Sequence, residues 1–114
     1  IYLTGEDVTL GRDASVAAVP LDDGSVSGLH ARLIRQAGGE YLLRDQGSIA
    51  GTWVNFDPIP EEGRRLRHGD LIQLGRVQLR FQRPKVQIAP AAVELLNGDD
   101  SEDKPSGRAG ETSE

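Results

Sequence analysis

The sequence has no cysteine and no methionine, and its 114 residues carry only five aromatic side chains: Tyr2, Tyr41, Trp53, Phe56 and Phe81. Without thiols there is no disulfide framework and no thiolate metal site. So few rings imply a small core, mainly aliphatic, with Trp53 and Phe81 in it. No apolar run approaches the ~18 residues of a spanning helix. No charged-then-apolar N-terminal segment reads as a signal peptide. The first residue is Ile1 rather than Met, so we expect a fragment of a longer protein.

An excess of positive charge is also missing. There are 13 basic and 18 acidic residues, for a net charge of −5. Residues 1–83 hold 10 basic and 11 acidic groups, while residues 84–114 hold 3 and 7. The acidity therefore belongs mostly to the C-terminal segment. General nucleic-acid or anionic-membrane surfaces need a net basic face, so neither partner is expected. A local anion site is compatible with this balance. The basic group Arg64, Arg65 and Arg67 reads as a solvated hairpin offset by Glu61 and Glu62.

Residues 1–83 read as many short strands. Val77, Leu79 and Phe81 alternate with Gln78, Arg80 and Gln82, the pattern of a half-buried strand. Leu71–Leu74 forms another, joined to it through Gly75-Arg76. Leu29, Ala31 and Leu33 alternate with His30 and Arg32, and Tyr41 and Leu43 with their polar neighbours. Gly38-Gly39 joins these two as a hairpin. Val8–Leu10 and Trp53–Asn55 are shorter pieces. There is no long helical period and no internal repeat. Short strands with regular turn signals predict an all-β antiparallel sandwich, whose loops at one end carry function. Residues 84–96 read as a linker or a short helical extension, Ala91–Leu96 making one helical turn or two. Residues 97–114 contain a single apolar residue, Ala109, and are expected to form a disordered acidic tail.

Chemistry-bearing residues concentrate in loops. Gly11-Arg12 ends the first strand. Ser27-Gly28-Leu29-His30 enters the next long one. Asp45-Gln46-Gly47-Ser48 leaves a strand, and Gly51-Thr52-Trp53-Val54-Asn55 enters another. Singly, each has a local explanation: Arg12 pairing with Asp13 or Asp45, Ser27 capping a turn. Ser27, His30 and Asp45 also contain the residue types of a hydrolytic triad. However, Ser and His three apart at a loop-to-strand junction point to different sides, which suits a triad poorly. His30 and His68 are 38 residues apart with no thiols nearby, a poor metal set.

Taken in order, with Ser27 fifteen residues after Arg12, then DQGS, GTWVN and LRHGDLIQLG, these features resemble the forkhead-associated (FHA) domain over about residues 8–82. The resemblance implies a SMAD/FHA-like β-sandwich of about eleven short strands, with part of the first strand absent or reduced to Ile1–Leu3. It further implies a module, not an enzyme and without cofactor or metal, that binds phosphothreonine peptides in serine/threonine-kinase signalling. The matching positions make Arg12 and Ser27 the phosphate contacts and Gly28, Ile49 and Ala50 the peptide-contacting residues. Gly11, His30, Gly51, Thr52 and Asn55 support the site.

The residue chemistry agrees with that assignment. A phosphothreonine carries about −1.5 to −2 charges and three acceptor oxygens. Arg12 offers a planar fork that stays charged. Ser27 offers a hydroxyl, and backbone N–H groups near Gly28 add donors. The second loop departs from the family's Ser-(Ser/Thr)-Asn-Gly-Thr: it reads Ser48-Ile49-Ala50-Gly51-Thr52. Ala50 and Ile49 cannot supply the side-chain hydrogen bonds of the residues they replace. Each is worth ~0.5–1.5 kcal/mol, so their loss weakens binding by roughly tenfold to a hundredfold. A phospho-independent interaction or assembly module on the same scaffold is the alternative. The expected partner is a threonine-phosphorylated protein or the parent protein's own phosphorylated segment, with Thr112 a candidate. The expected setting is cytoplasmic.

Overall fold

The computed structural model describes residues 3, 5–83 and 90–96. Ten strands form among them: β1 (Asp7–Gly11), β2 (Val19–Pro20), β3 (Ala31–Arg35), β4 (Tyr41–Asp45), β5 (Thr52–Val54), β6 (Asp57–Pro58), β7 (Arg64–Arg65), β8 (Leu71–Leu74), β9 (Val77–Gln82) and β10 (Ala92–Leu95). They make two five-stranded sheets, ordered β2-β1-β3-β4-β7 and β10-β9-β8-β5-β6. All neighbours are antiparallel except β1 and β2, which run parallel through Leu10↔Val19 and Gly11↔Pro20.

Period-2 patterning sets the register. Because side chains alternate across a strand, one set of each strand faces the partner sheet. Val8, Leu10, Ala31, Leu33, Tyr41 and Leu43 are buried from the first sheet, and Ile72, Leu74, Val77, Leu79 and Phe81 from the second. The Tyr41 and Phe81 rings meet edge-on, with centroids 5.9 Å apart. Gly38-Gly39 and Gly75-Arg76 close the β3–β4 and β8–β9 hairpins as expected.

Three expectations are corrected. Ala92–Leu95 is neither linker nor helix: it pairs with β9 from Ala92↔Gln82 to Leu95↔Leu79, and Val93 is fully buried. Four residues after a proline show no period of their own, and the partner strand decides their state. Trp53 is not core but 36% exposed, since its neighbours Thr52 and Val54 take the inward positions of β5. Leu29 precedes β3 in a loop and is exposed rather than sharing the inward row of Ala31 and Leu33. Of Ile1–Leu3 only Leu3 is described; it is buried and donates its N–H to the Ala91 carbonyl. The expectations for residues 84–89 and 97–114, Thr112 included, lie outside the described residues.

The chain direction gathers the loops that matter. β1 and β4 end, and β3 and β5 begin, at one end of the sandwich. The β8–β9 turn lies there too, where Arg76 N–H donates to Ser25 Oγ at 2.8 Å. At the opposite end, the β5–β6 hairpin turns on Asn55 and Phe56, both left-handed at φ 51° and 70°. That is a type I′ turn, which favours Asn first and Gly second. Asn55 fits: its amide donates to Asp70 Oδ1 and its carbonyl accepts from Leu71 N–H, both at 3.0 Å. Phe56 is 68% exposed, so its ring gains little from burial to offset a conformation that favours glycine. Phe56→Gly is expected to raise stability by about 1 kcal/mol, read as a higher urea midpoint with an unchanged slope.

Candidate functional site

Three loops meet at the tip: residues 12–18, 21–30 and 46–51. Each is shaped by an aspartate that accepts a backbone N–H two residues on, an Asx turn. Asp13 Oδ1 accepts from Ser15 N–H and its hydroxyl at 2.9 and 2.7 Å. Asp23 Oδ1 does the same with Ser25 at 2.8 and 2.7 Å, and also takes Arg76 at 3.0 Å. Asp45 Oδ2 accepts from Gly47 and Ser48 N–H, both at 3.0 Å. Its Oδ1 takes the hydroxyls of Ser48 and Thr52 at 2.5 and 2.6 Å. Ser48 Oγ in turn accepts from Gly51 N–H at 3.0 Å.

The first two loops are laced by their backbones. Arg12 N–H donates to the Ser27 carbonyl and Asp13 N–H to that of Gly28. The approach is close because Gly11 has no side chain; a Cβ there would sit 2.1 Å from the Gly28 oxygen. The Arg12 guanidinium is fixed through Nε, which donates to the Val26 carbonyl at 3.1 Å. Neither Asp13 nor Asp45 pairs with it, and Arg12 forms no ion pair among the described residues. Its Nη donors therefore remain available, held beside the residue that precedes Ser27.

Ser27 joins the second loop to the third. Its Oγ accepts from Ile49 N–H at 3.2 Å, which leaves the hydroxyl hydrogen free to donate. Its N–H goes to Nδ1 of His30 at 3.0 Å. His30 is fully buried, and its Nε2 lies 2.8 Å from the Gly51 carbonyl. An Nδ1 that accepts fixes the tautomer, so Nε2 carries the hydrogen and donates to Gly51. The triad arrangement does not form: His30 takes the Ser27 amide rather than its hydroxyl, and Asp45 serves its own loop. Gly28 N–H and Leu29 N–H have no partner among the described residues. Ile49 is 97% exposed and Ala50 is exposed beside it. Thr52 is buried on Asp45, and Asn55 lies at the far end on Asp70, away from the loops it was grouped with.

The three aspartates stay ionised. The Ser15 hydroxyl and N–H hold the Asp13 carboxyl below the usual range. The Ser25 N–H and hydroxyl, then Arg76, lower Asp23 to about 2. Burial pushes Asp45 up, but bonds from the Ser48 and Thr52 hydroxyls and Ser48 N–H together overcome it. The repeated Asp-x-Ser spacing of the first two loops was readable as a turn signal but went unrecognised in the sequence.

A depressed carboxylate stabilises the fold above its unfolded value and loses that contribution as pH falls through its folded value. The Asp23 loop is therefore expected to hold down to about pH 3.8 and to loosen between there and about 2, while the Asp13 and Asp45 loops loosen as pH falls below the same starting value. Amide shifts of Ser15, Ser25 and Ser48 followed by NMR through that interval should move, and Asp23→Asn should remove the Ser25 transition.

The model of the family described as FHA domain matches residues 8–75. The chain is 43% identical over 61 residues to the glycogen accumulation regulator GarA of Mycolicibacterium smegmatis, covering 54% of this chain and 37% of that protein. It is 35% identical over 80 residues to the oxoglutarate dehydrogenase inhibitor of Corynebacterium jeikeium, covering 70% and 54%. The chain thus spans between about a third and about half of those relatives' lengths. A solved structure from a study of phosphothreonine-dependent FHA domain interactions superposes with a TM-score of 0.67 at 30% identity, covering 74% of this chain and 83% of that one. With the family's pattern spanning β1 to β8 and its fold reproduced in both sheets, the chain belongs to the forkhead-associated domain family.

Proposed function

We propose that this domain is a phosphothreonine-dependent peptide-binding module that recruits a threonine-phosphorylated protein downstream of a serine/threonine kinase. One observation carries the reading. The Arg12 guanidinium is anchored through Nε alone, with no carboxylate on its remaining donors, and the Ser27 hydroxyl accepts one N–H, from Ile49, while its own hydrogen stays free. Both groups therefore have donors to spare. Together with the open N–H groups of Gly28 and Leu29 they suit a dianion with three acceptor oxygens. The nearby carboxylates make no hydrogen bond or ion pair with Arg12: Asp13 bonds Ser15, Asp23 bonds Ser25 and Arg76, and Asp45 bonds Gly47, Ser48 and Thr52. Ile49 and Ala50, exposed on the third loop, would meet the peptide's flanks without side-chain hydrogen bonds. His30, Gly11, Gly51 and Thr52 act as supports that hold the donors in place.

The role is one of binding and regulation rather than catalysis, in a cytoplasmic setting where kinases act. Among the described residues no helix is long and apolar enough to cross a membrane. The partner class includes the chain's own Thr112 once phosphorylated. Leu96 N–H bonds the Gln78 carbonyl beside the β8–β9 turn, so the last described residue lies toward the loop-bearing end. Thr112 lies sixteen positions further along the chain. Fully extended, that length spans up to about 55 Å, ample to return to the tip.

Binding of a phosphothreonine peptide library, with phosphoserine and unphosphorylated controls, tests the reading. Arg12→Ala removes two charge-assisted bonds and is expected to lower affinity by more than about a hundredfold; Ser27→Ala, about tenfold. Equal binding of phosphorylated and unphosphorylated peptides, unaffected by Arg12→Ala, would establish the phospho-independent module instead.

A further inference from the structure

A polar pocket of about 320 Å³ opens at the end of the sandwich opposite the tip. The β3–β4 turn forms it: Glu6, Arg35, Gln36, Ala37, Gly38 and Gly39 line its walls. The five residues of β3 separate it from His30 and the tip loops, about 17 Å of strand.

Two arginines converge there from different sheets. Arg35 ends β3, and Arg83 follows β9. Arg83 is held at both ends: its N–H donates to Nδ1 of His68 at 2.9 Å, and its Nη2 to the Gly38 carbonyl at 3.3 Å. A Cβ placed on Gly39 would meet Arg83 Nη2 at 3.0 Å and Arg35 Nη2 at 3.9 Å, so both guanidiniums come within 4 Å of one point. Gly39 is left-handed at φ 86°, a conformation that favours glycine and keeps that point free of a side chain.

Nothing in the pocket neutralises the pair. Neither arginine forms an ion pair among the described residues, and the Arg35 guanidinium has no hydrogen-bond partner there either. Glu6, the one carboxylate in the walls, bonds neither of them. Arg67, next to His68, is likewise without an ion pair among these residues. Like charges this close repel one another, and a bound anion would turn that repulsion into attraction.

We propose that Arg35 and Arg83 form an anion site, separate from the one at the tip, that takes a phosphate-class oxyanion. A carboxylate has two oxygens, which a single guanidinium fork fills. A phosphate group has a third oxygen and a higher charge, so it can bridge two forks. Glu6 on the wall opposes the anion and moderates its affinity.

Titration of the isotope-labelled chain with inorganic phosphate, followed by NMR in an Arg12→Ala background, tests this site apart from the tip. The Gly38 and Gly39 amides and the Nε–H signals of Arg35 and Arg83 are expected to shift and to saturate. Arg35→Ala and, separately, Arg83→Ala should weaken that binding at least about tenfold. Glu6→Gln should tighten it about two- to fivefold. Acetate at the same ionic strength should bind at least about tenfold more weakly than phosphate. O-phosphoserine as a second probe separates the sources. Tighter binding than that of phosphate assigns the site to a phosphoryl group on an organic body; equal or weaker binding assigns it to free phosphate. Shifts that grow without saturating, that persist in Arg35→Ala, or that acetate reproduces would overturn the proposal. None of these outcomes touches phosphothreonine binding at the tip, which rests on Arg12 and Ser27.

Discussion

A buried imidazole keeps the tip of this sandwich closed. His30 immediately precedes β3 of one sheet and reaches the carbonyl of Gly51, which leads into β5 of the other. Its second nitrogen takes the Ser27 amide. Both ring nitrogens are thereby used away from water, and an unpaired polar group in such a place would cost about 1–3 kcal/mol. The Ser27 hydroxyl, the Val26 carbonyl that anchors Arg12 and the third loop all take their positions from that bridge. Disturbing His30 would therefore act on the proposed phosphate donors without touching them.

The electrostatics of the tip depend on which lone pairs are already occupied. Asp13, Asp23 and Asp45 place three negative charges near a site proposed to bind a dianion. Their oxygens accept from neighbouring serines, backbone amides and Thr52, and at Asp23 also from Arg76. Arg12, by contrast, has one donor engaged and the rest open. A net charge of −5 is therefore no obstacle to anion recognition, because the local arrangement of donors outweighs the overall balance.

The strands were legible because alternation is strong in Leu71–Leu74, Val77–Gln82 and Tyr41–Asp45, where one face is wholly apolar. β10 was not, because Ala92–Leu95 is too short to carry a period and owes its state to β9, ten residues earlier. Trp53 was misplaced since size alone argued for burial, whereas its parity on β5 pointed outward. The site residues were readable only as a dispersed pattern. Their convergence depends on chain reversals that no local window contains. The Asx latches lay within single short windows, yet Asp-x-Ser is common enough in loops to pass for ordinary punctuation.

Those latches mean that each recognition loop carries much of the information for its own shape. Asp13 with Ser15 closes within three residues; Asp23 with Ser25 does too, with Arg76 added from the β8–β9 turn; Asp45 uses Gly47, Ser48 and Thr52. Ile49 and Ala50 could therefore diverge while the loop bearing them kept its form. A family built this way can retune what it recognises by editing loop crests, leaving the sandwich beneath unchanged. Grafting such a loop onto another sandwich should transplant its conformation along with its letters.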